Sequence, residues 1–413
     1  MDLSSAPKPA FSPVRKNPFS PCSPSQFPSA ANANHDRRIQ SASCRIYIGQ
    51  ELGPGLSWFQ SAVGYRRPAS GRNRRGKACK EEILNALLSP YQRAHHRFAT
   101  FTAAATFLLI VAGALVTSND AGLSVPDWPT SFGHSPISYS YFRVPLVGGV
   151  KYEHGHRMVA EMIGLLTIVL AIWTWRSYRR CWIRYLGVAA LGAVIVQGIF
   201  GGLTVLLHLP AIVSTAHAAL GQAFFCLAVS LALLTSRQNI ERETLPQLDG
   251  RKPSLPQLAW LSVAVVYLQL ILGAMFRHHG MRLLPHLIVA ALVTACLLWT
   301  TTRTLACHRE IGPLRTPATV LLLLLFVQLA LGFASYIARV VWSQAAVATT
   351  TTAVAVTVAH VSVGALVLAT TVVVAIQASR HISVAAETQG LSEFDPKAWH
   401  AGSHRTPGKV VNA

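Results

Sequence analysis

Residues Tyr152-Glu153-His154-Gly155-His156-Arg157-Met158 open an apolar run that continues to Trp175. A run of about 20 residues is what a helix needs to cross a hydrocarbon core. Two imidazoles, a carboxylate and a guanidinium therefore stand at the edge of a membrane span, where ionisable groups are costly and mark function. Counted along the chain, eight such runs occur, over about 97–117, 157–175, 183–205, 214–234, 257–276, 286–304, 316–336 and 356–377. In a chain of alternating spans, every even-numbered one crosses in the same direction. His156, His217, His286 and His360 stand near the starts of the second, fourth, sixth and eighth. All four therefore lie at a similar depth, toward the outer face.

Composition agrees with this reading. Of 413 residues, 51% are hydrophobic and 13% charged, and mean hydropathy is +0.38; soluble proteins carry roughly 25% charged residues. The net charge of +20 would suit nucleic acid, but its distribution is that of membrane topology, and no nucleic-acid partner is expected. Residues 1–90 hold 13 Lys/Arg and 5 Asp/Glu. The loops after the second, fourth and sixth spans hold 11 basic residues, whereas the opposite loops hold 5: Arg143, Lys151, Arg277, Arg282 and Arg339. Basic loops stay on the cytoplasmic side, so both termini are expected there. No apolar segment precedes a small-residue cleavage site, so a secretory signal is not expected. An Arg- and Ser-rich, acid-poor start is also the composition of organelle transit peptides. A cytoplasmic tail, or a start placed upstream of the true one, is the favoured reading, and a bacterial inner membrane is favoured over a mitochondrial one. The seven cysteines form no CxxC or zinc spacing and avoid the outer loops, so no structural disulfide is expected there.

The expected fold is all-α and integral to the membrane: eight transmembrane helices as two repeated four-helix bundles. A basic Ser/Pro-rich tail over 1–90 is expected to be disordered. The first half covers 91–235, a cytoplasmic linker 236–256, the second half 257–380 and a polar tail 381–413. Repeated spacings support the duplication. Gln197 precedes Gly201, Gln269 precedes Gly273 and Gln328 precedes Gly332, each by four residues and so on one helix face. Gly113-Ala114-Leu115 echoes Gly273-Ala274-Met275, and Ala216-His217 with Gly221 echoes Ala359-His360 with Gly364. Repeats in membrane proteins commonly place sites within or between the units. The outer loop over 118–152 is long, and loops of that length usually have a task, such as covering a site.

Within each half, two helices offer one imidazole each: His156 with His217, and His286 with His360. Two facing imidazoles at one level suit the two axial positions of a haem iron. Gly155, Ala216, Ala218, Gly221, Ala359 and Gly364 would leave room for a flat macrocycle. A lone membrane histidine is more often an interhelical hydrogen-bonder; four at one depth in a duplicated pattern favour a functional role. His134, His154, His208, His278 and His279 lack repeat partners and are expected in loops. Only the first half has an acid beside its imidazole, Glu153, since Met281 to Pro285 before His286 contains none. The first site is thus suited to chemistry and the second to electron transfer. Glu153 could accept a proton from a reacting group or pair with Arg157 one turn on. Arg157 could equally pair a haem propionate.

Glu153-x-x-His156-Arg157, the loop Gly122-Leu123-Ser124-Val125-Pro126-Asp127-Trp128-Pro129 and the paired histidines resemble the haem A synthase family, bacterial branch, over about 95–380. That resemblance implies oxidation of a methyl group of haem O to the formyl group of haem A, for cytochrome oxidase assembly. It implies that His286 and His360 ligate a resident haem b, that His156 and His217 hold haem O, and that Glu153 stands at the reacting methyl, with Arg157 beside it. Two successive oxidations would give a geminal diol that loses water, with electrons leaving through the resident haem. Haem O synthase and an electron acceptor are the implied partners, and a homo-oligomer is compatible. Val125 and Ser131 stand where many members carry a cysteine pair, so the loop is cysteine-free here.

The alternative is a bis-histidine membrane cytochrome b that only transfers electrons; it would have no need of Glu153. A transporter built from inverted repeats would show intramembrane charges and broken helices at mid-membrane. A haem prenyltransferase would need aspartate-rich magnesium sites, and no such motif occurs.

Overall fold

The computed structural model describes residues 72–241, 246–341 and 350–384. Most of the tail expected to be disordered, and residues 385–413, lie outside them. Among the described residues, eight helices are long and apolar enough to cross a membrane. They are α1 (Arg72–Ser118), α2 (Val150–Ser177), α3 (Cys181–Leu206), α4 (Ala211–Leu234), α5 (Leu255–Arg277), α6 (Leu284–Cys307), α7 (Gly312–Tyr336) and α8 (Thr351–His381). The protein is a mainly helical, multi-pass membrane protein. Hydrocarbon offers no partner for backbone N–H and C=O groups, so each apolar run closes its own hydrogen bonds as a helix.

Three boundaries differ from expectation. α1 begins at Arg72, inside the expected tail; Lys77 to Leu88 is free of Gly and Pro and rich in helix formers,. α2 begins at Val150, so the stretch Tyr152–Met158 is already helical and Glu153 lies in the first turn. There its carboxylate complements the positive end of the helix. Finally, the fold is not purely helical. The linker holds a strand, β1 (Gln247–Asp249), that pairs in parallel with β2 (Ile382–Val384) beyond α8.

In the first half α1 packs on α2, α2 on α3, α3 on α4 and α4 back on α1; α5 to α8 follow the same cycle. The halves meet where α8 packs on α1 and α4, and where α4 packs on α5. Because α8 touches both halves, 50% of its apolar window is buried, against 11% for α7 at the rim. Ile163, Leu170, Ala190, Phe224 and Leu231 centre the first core, and Leu255, Leu297, Leu314, Leu321 and Leu368 the second. Phe225, Ala365 and Ala369 join the two.

Two arginines of the second half cap the end of α1. Arg277 donates to the Thr117 carbonyl at 2.5 Å and Arg339 to that of Ser118 at 2.9 Å. The last carbonyls of a helix lack intrahelical partners, and cations suit them.

At the other end of the bundle the linker is clasped. Arg303 of α6 pairs with Asp249 at 2.7 Å, both side chains at most 6% exposed, and donates to the Pro253 carbonyl. Asp249 also accepts from the Leu255 N–H at 2.8 Å. Removing one partner leaves the other charge buried, a loss of about 3–5 kcal/mol. Arg303→Leu is therefore expected to unfold at markedly lower temperature in detergent, and an unchanged midpoint would remove the clasp from the account. Asp249→Asn with Arg303→Leu should recover much of the loss.

Candidate functional site

Each of the four histidines rests against a glycine on the helix preceding its own. A Cβ on Gly113 would lie 3.1 Å from Cε1 of His156, and one on Gly201 3.0 Å from that of His217. On Gly273 it would lie 2.9 Å from Cε1 of His286, and on Gly332 3.2 Å from that of His360. The rings fill the space that a side chain would take. One turn before each glycine, the backbone carbonyl of Leu109, Gln197, Gln269 or Gln328 interacts with the same ring. It does so without a closed hydrogen bond, and all four Nδ1 atoms are buried and unpartnered.

The opposite nitrogen meets a side-chain amide in three cases. Nε2 of Gln197 lies 3.4 Å from Nε2 of His217, that of Gln269 3.3 Å from His286 and that of Gln328 3.4 Å from His360. An amide N–H donates to the ring's lone pair, which leaves the ring proton on Nδ1. The Oε1 atoms of all three glutamines are buried without partners. Gly221 and Gly364 make room for two of these amides: a Cβ there would lie 2.9 Å from Gln197 Nε2 and 3.2 Å from Gln328 Nε2. These two glycines thus admit a glutamine, where the sequence suggested clearance for a macrocycle. His156 faces Leu109 and has no amide.

His156 and His217 lie within electrostatic range of each other, as do His286 and His360, and His278 lies within the same range of His217. Among the described residues, no group of three or more His, Cys, Asp or Glu is assembled to hold a metal ion. Two imidazoles whose Nε2 lone pairs face at most a displaceable amide suit instead a metal that brings its own macrocycle and needs only axial ligands,. The donor set therefore fits haem.

The outer loop is pinned over α2 and α3. Arg157 donates through Nη1 to the carbonyls of Asp127 at 2.6 Å and Thr130 at 3.0 Å. Its Nη2 donates to the Val125 carbonyl at 3.1 Å and to Glu153 Oε1 at 2.6 Å. The other Glu153 oxygen accepts from the Val125 N–H at 2.8 Å. His154 spans Ser131 Oγ at 3.1 Å and the Tyr141 carbonyl at 3.0 Å, and the Tyr141 hydroxyl donates to Glu161 at 2.6 Å. Trp128 lies on Gly202 of α3, where a Cβ would sit 2.5 Å from its ring. Burial alone would raise the Asp127 carboxyl, but hydrogen bonds from Thr130, Gly133 and Phe132 bring it below its ordinary value. Val125 and Ser131 are both fully buried loop anchors.

Of the two histidines in Tyr152–Met158, His154 is thus consumed by the loop, whereas His156 keeps an open nitrogen. The i, i+4 ion pair weighed from the sequence is present, with side chains 12% and 5% exposed. Both terminal nitrogens of Arg157 are engaged in the loop and Glu153, so a propionate there would compete with loop carbonyls. The glutamines and Glu161 had no assigned part from sequence alone. The signals were present as the Gln-x3-Gly spacing and as an acid inside an apolar span.

Comparison with known proteins bears on these residues. Residues 150–283 match the family COX15-CtaA, described as cytochrome oxidase assembly protein. The COX15-CtaA match includes Glu153, His156, Arg157 and His217 and ends before His286. Curated relatives named heme A synthase include one from Lysinibacillus sphaericus, 28% identical over 193 residues, covering 45% of this chain and 59% of the relative. One from Halalkalibacterium halodurans is 32% identical over 167 residues, covering 39% and 49%. One from Symbiobacterium thermophilum is 29% identical over 185 residues, covering 43% and 57%. The chain spans about half the length of these curated relatives.

Proposed function

We propose that the protein oxidises a methyl group of haem O to the formyl group of haem A in cytochrome oxidase assembly. The observation that carries this reading is the fourfold imidazole seat, two rings per half, beside an acid in one half only. His156 and His217 would hold the substrate haem O, and His286 and His360 a resident haem b. The resident haem, when bound, supplies one-electron transfer toward an external acceptor. The chain's own groups do the rest. Glycines and backbone carbonyls seat the rings. Glu153, held by Arg157 and the Val125 N–H, keeps a fixed carboxylate one turn from His156, where it would take a proton as the methyl is oxidised. The pinned loop shields that half from water. Haem O synthase would supply the substrate, and the protein would lie in a bacterial inner membrane with both termini cytoplasmic.

Pigment extraction from cells making this protein together with a haem O source tests the activity: haem A should appear, and haem O alone would sink it. Glu153→Gln keeps the shape of the loop contact but not the charge. It should retain resident haem and accumulate haem O or a hydroxylated intermediate at least about tenfold over wild type, in the range typical of a lost acid–base group. An unchanged haem A yield would take Glu153 out of the reaction.

A further inference from the structure

Arg277 and Arg339 meet at one helix end. Arg277 closes α5, and Arg339 stands in the π-helical turn Ile337–Val341 that follows α7. They donate to neighbouring carbonyls of α1, those of Thr117 and Ser118, and lie within electrostatic range of each other. Two half-buried guanidiniums so placed repel, and negative charge beside them offsets the cost. The chain supplies little of it. Helices α5 to α8 contain no Asp or Glu. Asp120 comes only within 3.9 Å of Arg277, with its side chain 71% exposed. Asp127 is taken up by Thr130, Phe132 and Gly133, and Glu153 by Arg157 and the Val125 N–H. Arg277 uses only Nη2 in these contacts, so its Nε and Nη1 hydrogens can serve another acceptor.

Both arginines stand just beyond a histidine seat. Arg277 follows Gly273, the seat of His286, by four residues and so shares its helix face,. Arg339 follows Gly332, the seat of His360, by seven residues, about two turns toward the same end of the bundle,. The matching positions after Gly113 and Gly201 in the first half are Thr117 and His208, neither of which carries a permanent charge. Only the second half places two permanent cations beyond its imidazole pair.

We infer that Arg277 and Arg339 bind the two propionate carboxylates of the haem seated on His286 and His360. This rests on the haem reading above and adds the anion site that would fix the orientation of the macrocycle. Haem carries its two carboxylates on one edge, so two neighbouring cations at one end of the seat match them in number and sign. Guanidinium is the side chain best suited to a carboxylate, through paired N–H donors. One helix end holds both cations, so the α1 carbonyls orient them while their remaining charge faces the ligand.

The test titrates full-length protein, made in haem-deficient cells and kept in detergent, with ferric haem b and with its dimethyl ester, which lacks both carboxylate charges. A His217→Ala background confines the measurement to the second half. With both arginines present, the ester should bind about tenfold to a hundredfold more weakly than haem b, the weight of a charge-assisted hydrogen bond. Arg277→Gln and Arg339→Gln should each weaken haem b by about tenfold or more and leave the ester unchanged. Arg277→Lys and Arg339→Lys, which keep the charge, should recover part of the loss. The midpoint potential of bound haem b should move to more negative values in the glutamine variants, because a cation near the iron is gone. Arginines that only cap α1 would weaken haem b and ester alike, and that result would overturn the inference. Equal affinity of the arginine-bearing protein for haem b and ester would overturn it too. If His360→Ala leaves haem b binding unchanged, the histidines hold no haem, and it is the underlying reading that fails.

Discussion

On the haem reading proposed above, alanine at His286 or His360 should strip the purified protein of a low-spin haem b spectrum. Each ring is one of a pair, and low-spin iron of this kind needs both axial positions filled by strong ligands. The remaining histidine would give at best a five-coordinate haem, with the Soret and α bands displaced and retention greatly reduced. The fold should survive, because each histidine is only partly buried and its ring rests against a glycine and a glutamine amide. His217→Ala serves as the control in the other half and should leave the resident spectrum in place. Reduced-minus-oxidised spectra and pyridine haemochrome content measure this directly. Full resident haem in both variants would show that iron is bound elsewhere.

Valine at Gly273 should have nearly the same effect, without touching a ligand. A single Cβ there already comes within 2.9 Å of the His286 ring, closer than real contacts allow. The ring is the free end of a side chain, so it gives way before the helices do, and the imidazole leaves its seat. Gly332→Val should act likewise on His360, where the Cβ would come within 3.2 Å. Overpacking of this sort costs about 1–3 kcal/mol, too little to unfold the bundle. The expected result is therefore a folded, monodisperse protein that has lost most of its haem. Gly164→Val supplies the control, since a Cβ at Gly164 meets nothing within 4 Å. Normal haem content in Gly273→Val would mean that the glycine is not the seat.

Much of this architecture is legible without coordinates. The eight apolar runs, the shared depth of His156, His217, His286 and His360, and the Gln-x3-Gly spacing are all patterns of local sequence. What the pattern did not reveal was its purpose. Gln197 and Gly201 look like a packing repeat until His217 is seen between them. The ambiguity between His154 and His156 also needed the fold, because only the loop residues Ser131 and Tyr141, 23 and 13 positions away, show that His154 is already spent. The tail and linker misled in the other direction. Arg72 onward is helical, and the polar linker contains a strand whose partner lies after α8.

By itself, the amino-acid sequence determined that this chain carries eight apolar runs long enough to cross a membrane as helices, because a hydrocarbon solvent leaves an apolar run no alternative to the helix,. It also set the four imidazoles at one level, since span direction and position along the span are properties of the chain alone. Tertiary structure alone decided which helix face each imidazole meets, that a missing side chain on the neighbour is its seat, and that Arg157 and Glu153 are tied to the outer loop. Those facts depend on contacts between residues far apart in the chain, where packing of specific shapes, and not local hydropathy, selects the partner.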